Sequence, residues 1–232
     1  MIPRRLRALA VLASLAVALA ACSVFPGATT APTVGPSVAN APSTAGGAPD
    51  LSTCPKAEPP PLPAGEARMV TIKTDLGEIL IHIQGDLSPI AAGNFVALAE
   101  CGWYDGVVFH RVVPGFVIQG GDGQFGRAPN VDPKNVGTGG PGYTITDEPV
   151  MAIYGRGIVA MARTPAPNSV GSQFFIVLDD EARTALERAN TYQIIGKVAN
   201  GLETVDAIAA AAEGIELPRE PVVMNDVSVA TP

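Results

Sequence analysis

The stretch Val107-Val108-Phe109-His110-Arg111-Val112-Val113-Pro114-Gly115-Phe116-Val117-Ile118-Gln119-Gly120-Gly121-Asp122 reads as two short apolar runs on either side of a Pro-Gly turn. Runs of about four to eight apolar and β-branched residues bounded by Gly and Pro are the pattern of short strands. If Val107 to Val112 is one strand, Arg111 shares a face with Phe109 and Val107. A guanidinium on an otherwise apolar face needs a partner, and a surface ion pair is the plain answer. The turn offers a second answer, because it can return Phe116 and Gln119 beside the cation. Residues 171–176, Gly-Ser-Gln-Phe-Phe-Ile, add another aromatic pair and another amide.

Working outward, Met69 to Thr74 alternates, Asp75-Leu76-Gly77 turns, and Glu78 to Ile83 alternates again, which predicts a hairpin with His82 on its open face. Ser88 is an N-cap candidate with Pro89 at the first helical position; Ile90, Phe95, Val96 and Leu98 form one apolar face until Gly102 ends the helix. Phe116 to Gln119, Gly157 to Ala162, Phe174 to Leu178, Ile194 to Val198 and Val222 to Val229 are further strand candidates, and Asp180 to Arg188 and Leu202 to Ala212 are further helices. The fold class is therefore mainly β: a closed eight-stranded antiparallel barrel capped by two or three helices, with a sandwich as the nearest rival. At 166 residues, the segment 67–232 has enough core to fold without metal or multiple disulfides.

The first 22 residues have a basic start (Arg4, Arg5, Arg7), an apolar run from Leu9 to Ala21 too short to span a bilayer comfortably, and then Cys22. Leu19-Ala20-Ala21-Cys22 resembles the lipobox of bacterial lipoproteins, so 1–21 is expected to be a signal peptide. Cys22 would then be lipidated and hold the chain on the extracytoplasmic face of a bacterial membrane. An ordinary signal peptide cut near Ala21 is the alternative. Residues 23–66 hold ten of the 22 prolines and only four charged residues, without apolar periodicity, so 22–66 is expected to be a flexible tether with an extended stretch at Pro59-Pro60-Pro61. With Cys22 lipidated, Cys54 and Cys101 are the remaining thiols of an exported protein, where disulfides persist; their pairing is the expectation and two free thiols the alternative.

Composition narrows the function. After residue 21 the chain has 12 basic and 22 acidic side chains, a net of −10 that repels polyanions and argues against a nucleic-acid partner. Three cysteines at distant positions and two histidines do not make a common zinc site, so no metal is expected. Gly121-Asp122-Gly123-Gln124-Phe125-Gly126 fits a phosphate-binding glycine pattern, but that pattern must open a helix, and Arg127-Ala128-Pro129-Asn130-Val131-Asp132-Pro133 cannot. Ser172 with His110 and Asp122 or Asp147 makes a hydrolase triad on paper, yet Val170-Gly171-Ser172-Gln173-Phe174 lacks the nucleophile-elbow spacing.

Three blocks in order, FHRVVPGFVIQGGD (109–122), GTGGPGY (137–143) and MARTPAPNSVGSQFFIV (161–177), closely resemble the cyclophilin family of peptidyl-prolyl isomerases, and the likeness runs from about residue 68 through YQIIGKV (192–198) to the strand near 229. The resemblance implies that Arg111 is the catalytic arginine, with Phe116 and Phe175 as floor of a proline pocket and Gln119 orienting arginine and substrate. Val117 replaces a pocket residue that is often Met. It implies further that Gln173 lines the groove and that Ala162 and Arg163 offer main-chain groups to the peptide, Arg163 standing where many relatives have Asn. Tyr192 replaces a groove His, as in bacterial members, and Leu186 is the candidate apolar wall. The segment 179–191 has no Trp, the residue that matters for cyclosporin binding in the family. The loop 123–136 is longer than in short eukaryotic forms, and Pro165-Ala166 adds about one residue, both at the groove rim.

The activity implied by the resemblance is non-covalent, arginine-assisted rotation of X-Pro bonds in proline-containing peptides, with no cofactor; the export signal makes unfolded exported proteins the expected substrates, and a monomer is expected. A membrane-tethered peptide-binding module or holdase with little turnover is the alternative.

Overall fold

In the expected hairpin, β1 (Ala67–Thr74) and β2 (Gly77–Gln84) pair antiparallel from Ala67 opposite Gln84 to Thr74 opposite Gly77. Alternation does the work: Ile79, Ile81 and Ile83 are fully buried, while His82 between them sits on the other face. The structure, a computed structural model, describes residues 49–212, 216 and 218–232. The expected signal segment and the lipidation candidate Cys22 lie outside the described residues.

Six further strands follow: β3 (Arg111–Val113), β4 (Val117–Gly120), β5 (Ile158–Met161), β6 (Phe174–Val177), β7 (Ile194–Asn200) and β8 (Asp226–Ala230). They make one eight-stranded sheet in the order β3-β4-β6-β5-β7-β2-β1-β8, all its paired strands antiparallel. The two edges are joined not by a ladder but by the chain just before each edge strand. Val108 bridges Val223, the Phe109 N–H donates to the Val222 carbonyl at 2.9 Å, and the Met224 N–H donates to that of Val107 at 2.8 Å. The sheet thus curls round to meet itself through a short irregular seam.

That seam explains two departures from expectation. The run Val107–Val112 is not one strand, since regular pairing begins only at Arg111, and Val222–Val229 is regular only from Asp226. Phe109 therefore turns into the core, fully buried, while Arg111 points out of it, and the shared face expected for them does not exist.

Helix α1 (Pro89–Glu100) packs against β1, β2, β7 and β8, and α3 (Leu202–Ala211) against β2 and β4. Between them, Asp180–Ala182 form a 3-10 turn leading into α2 (Arg183–Ala189), which Asn190 ends in the left-handed region at φ 45°. Ser88 occupies the N-cap position of α1 but its side chain makes no capping bond. The Glu148 carboxylate does so instead, accepting from the Ile90 and Ala91 N–H groups at 2.9 Å each.

Residues 49–66, read from composition as the end of the tether, lie against this body. Leu62 and Cys54 are buried, the Leu62 N–H donates to the Pro89 carbonyl at 2.9 Å, and Cys54 is bonded to Cys101 just past the end of α1. Gly93 allows the approach: a Cβ there would lie 2.4 Å from the Pro60 carbonyl oxygen. The strap covers α1 at Gly93, while the Asn94 side chain donates to the Gly171 carbonyl and accepts from the Tyr143 hydroxyl at 2.8 Å each, so α1 is buried on more than the single face its sequence suggests.

Two apolar layers result. Inside the barrel, Ile118, Val159, Phe174 and Ile176 join the interior faces of β1 and β2. Outside it, Val117, Ala160, Phe175, Val177 and Ile194 form a second cluster with Leu186 and Tyr154. Strand β6 separates the two, and all four of its residues are buried. Burying one such side chain is worth about 1.5–3 kcal/mol, so the outer layer is a second core in its own right.

Candidate active site

Register builds the site. Arg111 on β3 stands opposite Gln119 on β4, Gln119 opposite Phe175 on β6, Phe175 opposite Ala160 on β5, and Ala160 opposite Ile194 on β7. Directly opposed residues share a face, so one row crosses the outside of the barrel from a cation through an amide to an apolar floor. Val117, two residues before Gln119, shares that face, and Phe116 reaches it from the turn. The turn is of type II: Pro114 precedes Gly115 at φ 69°, and the Phe116 N–H donates to the Val113 carbonyl at 2.9 Å.

Leu186 of α2 and Tyr192 close the apolar end; the Tyr192 ring meets Phe175 edge-on with centroids 5.3 Å apart. Tyr154, which sequence reasoning missed, fixes that wall. Its hydroxyl donates to the Tyr192 carbonyl at 2.8 Å and accepts from the Tyr192 N–H at 3.1 Å, and its burial pushes the phenol up to about 12. A lone Tyr in a loop carries no periodic signal, so nothing in the sequence pointed to it.

At the polar end the side chains form a relay. Arg111 Nη1 donates to Gln119 Oε1 at 3.5 Å, Gln119 Nε2 to Gln173 Oε1 at 3.0 Å, and Gln173 Nε2 to the Gly137 and Gly139 carbonyls at 2.9 Å each. Arg111 Nε donates to Glu216 Oε1 at 2.6 Å, a partner that no sequence pattern singles out. A groove of about 660 Å³ continues past Gln119 and Gln173 along Gly137–Gly140, Tyr143 and Ala162–Thr164. Arg111, Gln119 and Gln173 are thus linked by hydrogen bonds, and Phe116, Val117, Phe175, Leu186 and Tyr192 share one apolar cluster.

Ala162 and Arg163 border the groove with different parts. The Ala162 N–H is taken by the Gln173 carbonyl at 2.9 Å, whereas the Arg163 N–H and C=O have no partner among the described residues. The Arg163 guanidinium is folded away from solvent. It pairs with Asp147 Oδ1 at 2.8 Å and donates to the Ala166 carbonyl at 2.8 Å, holding the inserted Pro165-Ala166 bend.

The members of the paper triad have other work. Ser172 is fully buried and donates to the Gly121 carbonyl at 2.7 Å, while Asp122 spends its carboxylate on the Gln124, Phe125, Gly137 and Gly139 N–H groups. Asp122 thus anchors both the 123–136 loop and the glycine rim of the groove. His110, beside Arg111 in sequence, is buried, and neither ring nitrogen has a hydrogen-bond partner among the described residues. Burial holds its imidazole below the usual value, against the pull of Asp122.

Residues 69–229 match the family model described as cyclophilin type peptidyl-prolyl cis-trans isomerase/CLD. A protein described as a probable peptidyl-prolyl cis-trans isomerase of Brucella abortus is 39% identical over 150 residues, covering 62% of this chain and 72% of the relative. A peptidyl-prolyl cis-trans isomerase of Acinetobacter baylyi is 36% identical over 170 residues, covering 69% of this chain and 85% of its own. Among solved structures, a cyclophilin-type isomerase of Cryptosporidium parvum superposes with a TM-score of 0.60 at 29% identity over 72% of this chain and 99% of that one. The same protein solved in the presence of the dipeptide Ala-Pro gives 0.59 at 30% identity, over 71% and 99%.

Proposed function

The chain belongs to the cyclophilin-type peptidyl-prolyl cis-trans isomerases, and on that premise we propose that it turns X-Pro bonds of exported proteins by non-covalent, arginine-assisted rotation. The barrier, about 18–20 kcal/mol, comes from conjugation of the prolyl nitrogen lone pair with the carbonyl, and the uncatalysed step takes on the order of tens to hundreds of seconds. An Arg111 N–H donated to that nitrogen localises the lone pair and favours the twisted state. Phe116, Val117, Phe175 and Leu186 grip the ring in an apolar pocket, while the open Arg163 main chain holds the flanking peptide. Only contacts stronger in the twisted state accelerate the step, and each 1.36 kcal/mol of such preference is worth about tenfold.

The observation that carries this reading is the single row Arg111–Gln119–Phe175, which sets a hydrogen-bond donor beside a proline-sized apolar floor. The Cryptosporidium relative solved in the presence of Ala-Pro is in keeping with such a pocket. Export and attachment through lipidated Cys22 rest on the N-terminal pattern of basic start, short apolar run and cysteine. The Cys54–Cys101 bond agrees with an oxidising compartment. Labelling the full-length protein with a radioactive fatty acid in a bacterial host tests the anchor: label lost in Cys22→Ser supports it, and an unlabelled wild type overturns it.

A further inference from the structure

We propose that Glu216 is a positioning residue for the isomerisation, fixing the Arg111 guanidinium so that its unengaged edge faces the prolyl nitrogen; the inference rests on the arginine-assisted reading above. Arg111 lies at the edge of the sheet on a three-residue strand, its side chain one-third exposed. A long cation so placed samples many rotamers, and every unproductive one subtracts from the population able to donate.

Two contacts on two sides of the guanidinium remove that freedom. Glu216 Oε1 accepts from Nε at 2.6 Å, and Gln119 Oε1 accepts from Nη1 at 3.5 Å. Nη2 donates to none of the described residues, which leaves it as the group for substrate. The longer, weaker Gln119 contact cannot hold the plane alone, whereas the charge-assisted Nε contact has the length of a strong one. Glu216 is itself registered by the backbone, because the Val112 N–H donates to its carbonyl oxygen at 2.9 Å, one residue from Arg111. The carboxylate therefore arrives at the arginine through a main-chain anchor, not by chance meeting of two surface chains.

The pair is partly exposed, Glu216 more than Arg111, so its worth is that of a screened ion pair and the expected effect is about fivefold in rate, not a loss of activity. The test is catalysed cis–trans exchange of a short X-Pro peptide by NMR over a range of peptide concentrations, with the full folded chain and its Glu216→Ala, Glu216→Gln, Arg111→Ala and double variants. Glu216→Ala is expected to lower kcat about fivefold with KM nearly unchanged, and Glu216→Gln, which keeps an acceptor, to recover most of it. In the Arg111→Ala background, removing Glu216 should change nothing further. The Arg111 Nε–Hε resonance should move and exchange faster in Glu216→Ala.

Unchanged kcat in Glu216→Ala, with Arg111→Ala inactive, overturns the positioning role and leaves the arginine mechanism standing. A raised kcat overturns it in the other direction, showing a carboxylate that competes for the cation. If Arg111→Ala itself keeps full turnover, the arginine reading falls, and the positioning role with it.

Discussion

His110 is a buried imidazole without a partner among the described residues, next in sequence to the arginine of the site. Its folded value lies below the usual one, so the unfolded chain takes up the proton first as pH falls through about 6.5. The stability it contributes is thus present above that pH and is lost as acid approaches the lowered folded value. Between about pH 7.5 and 5.5, urea midpoints should fall more for the wild type than for His110→Gln, and equal falls would contradict the assignment. Arg111 shows how far residue types alone can lead: its place beside Gln119 was legible from the Pro-Gly turn, while a role for it comes only from the family likeness. Its partner Glu216 was not, because an acidic residue 105 positions away in an aperiodic loop carries no local signal.

At the scale of elements, the strands and helices were legible where alternation or capping marked them, as in β1, β2 and α1. Elsewhere a tertiary contact overrides the pattern. Val107 to Val112 looks like a strand, but the seam with Val222–Met224 breaks it after two residues and sends Phe109 inward. Ser88 looks like a cap, but Glu148, 58 residues from Ile90, takes the N–H groups. That carboxylate also accepts from Gln193 Nε2 at 3.0 Å, tying the start of α1 to the chain entering β7. Glu148→Ala should cost about 1–2 kcal/mol, read as a drop in thermal midpoint of several degrees, while Ser88→Ala should be nearly silent. The reverse order would contradict the capping assignment.

For the whole molecule, the barrel was visible in outline, with a sandwich as its rival, because eight short runs with few helices leave few arrangements; the groove was visible only through the family likeness. The outer apolar layer was not, because composition cannot show that β6 is covered on both sides. Nor did composition show that the proline-rich stretch is docked from residue 49 onward, since its backbone bonds and its disulfide, not any periodicity, hold it. The cross-link spans 47 residues and in the chain-entropy view contributes about 4 kcal/mol by restricting the unfolded chain. Reduction, or the Cys54→Ser/Cys101→Ser pair, should lower the thermal midpoint by about 10 °C, and an unchanged midpoint would show that the cross-link adds no stability.

In the proposed mechanism a positioned guanidinium beside an apolar floor does the chemistry. The most direct measurement is the cis–trans exchange rate of a short X-Pro peptide with the folded protein, set beside Arg111→Ala of equal thermal midpoint. Arginine-assisted rotation requires strong acceleration by the wild type and loss of most of it in the variant. Equal acceleration by both would contradict it.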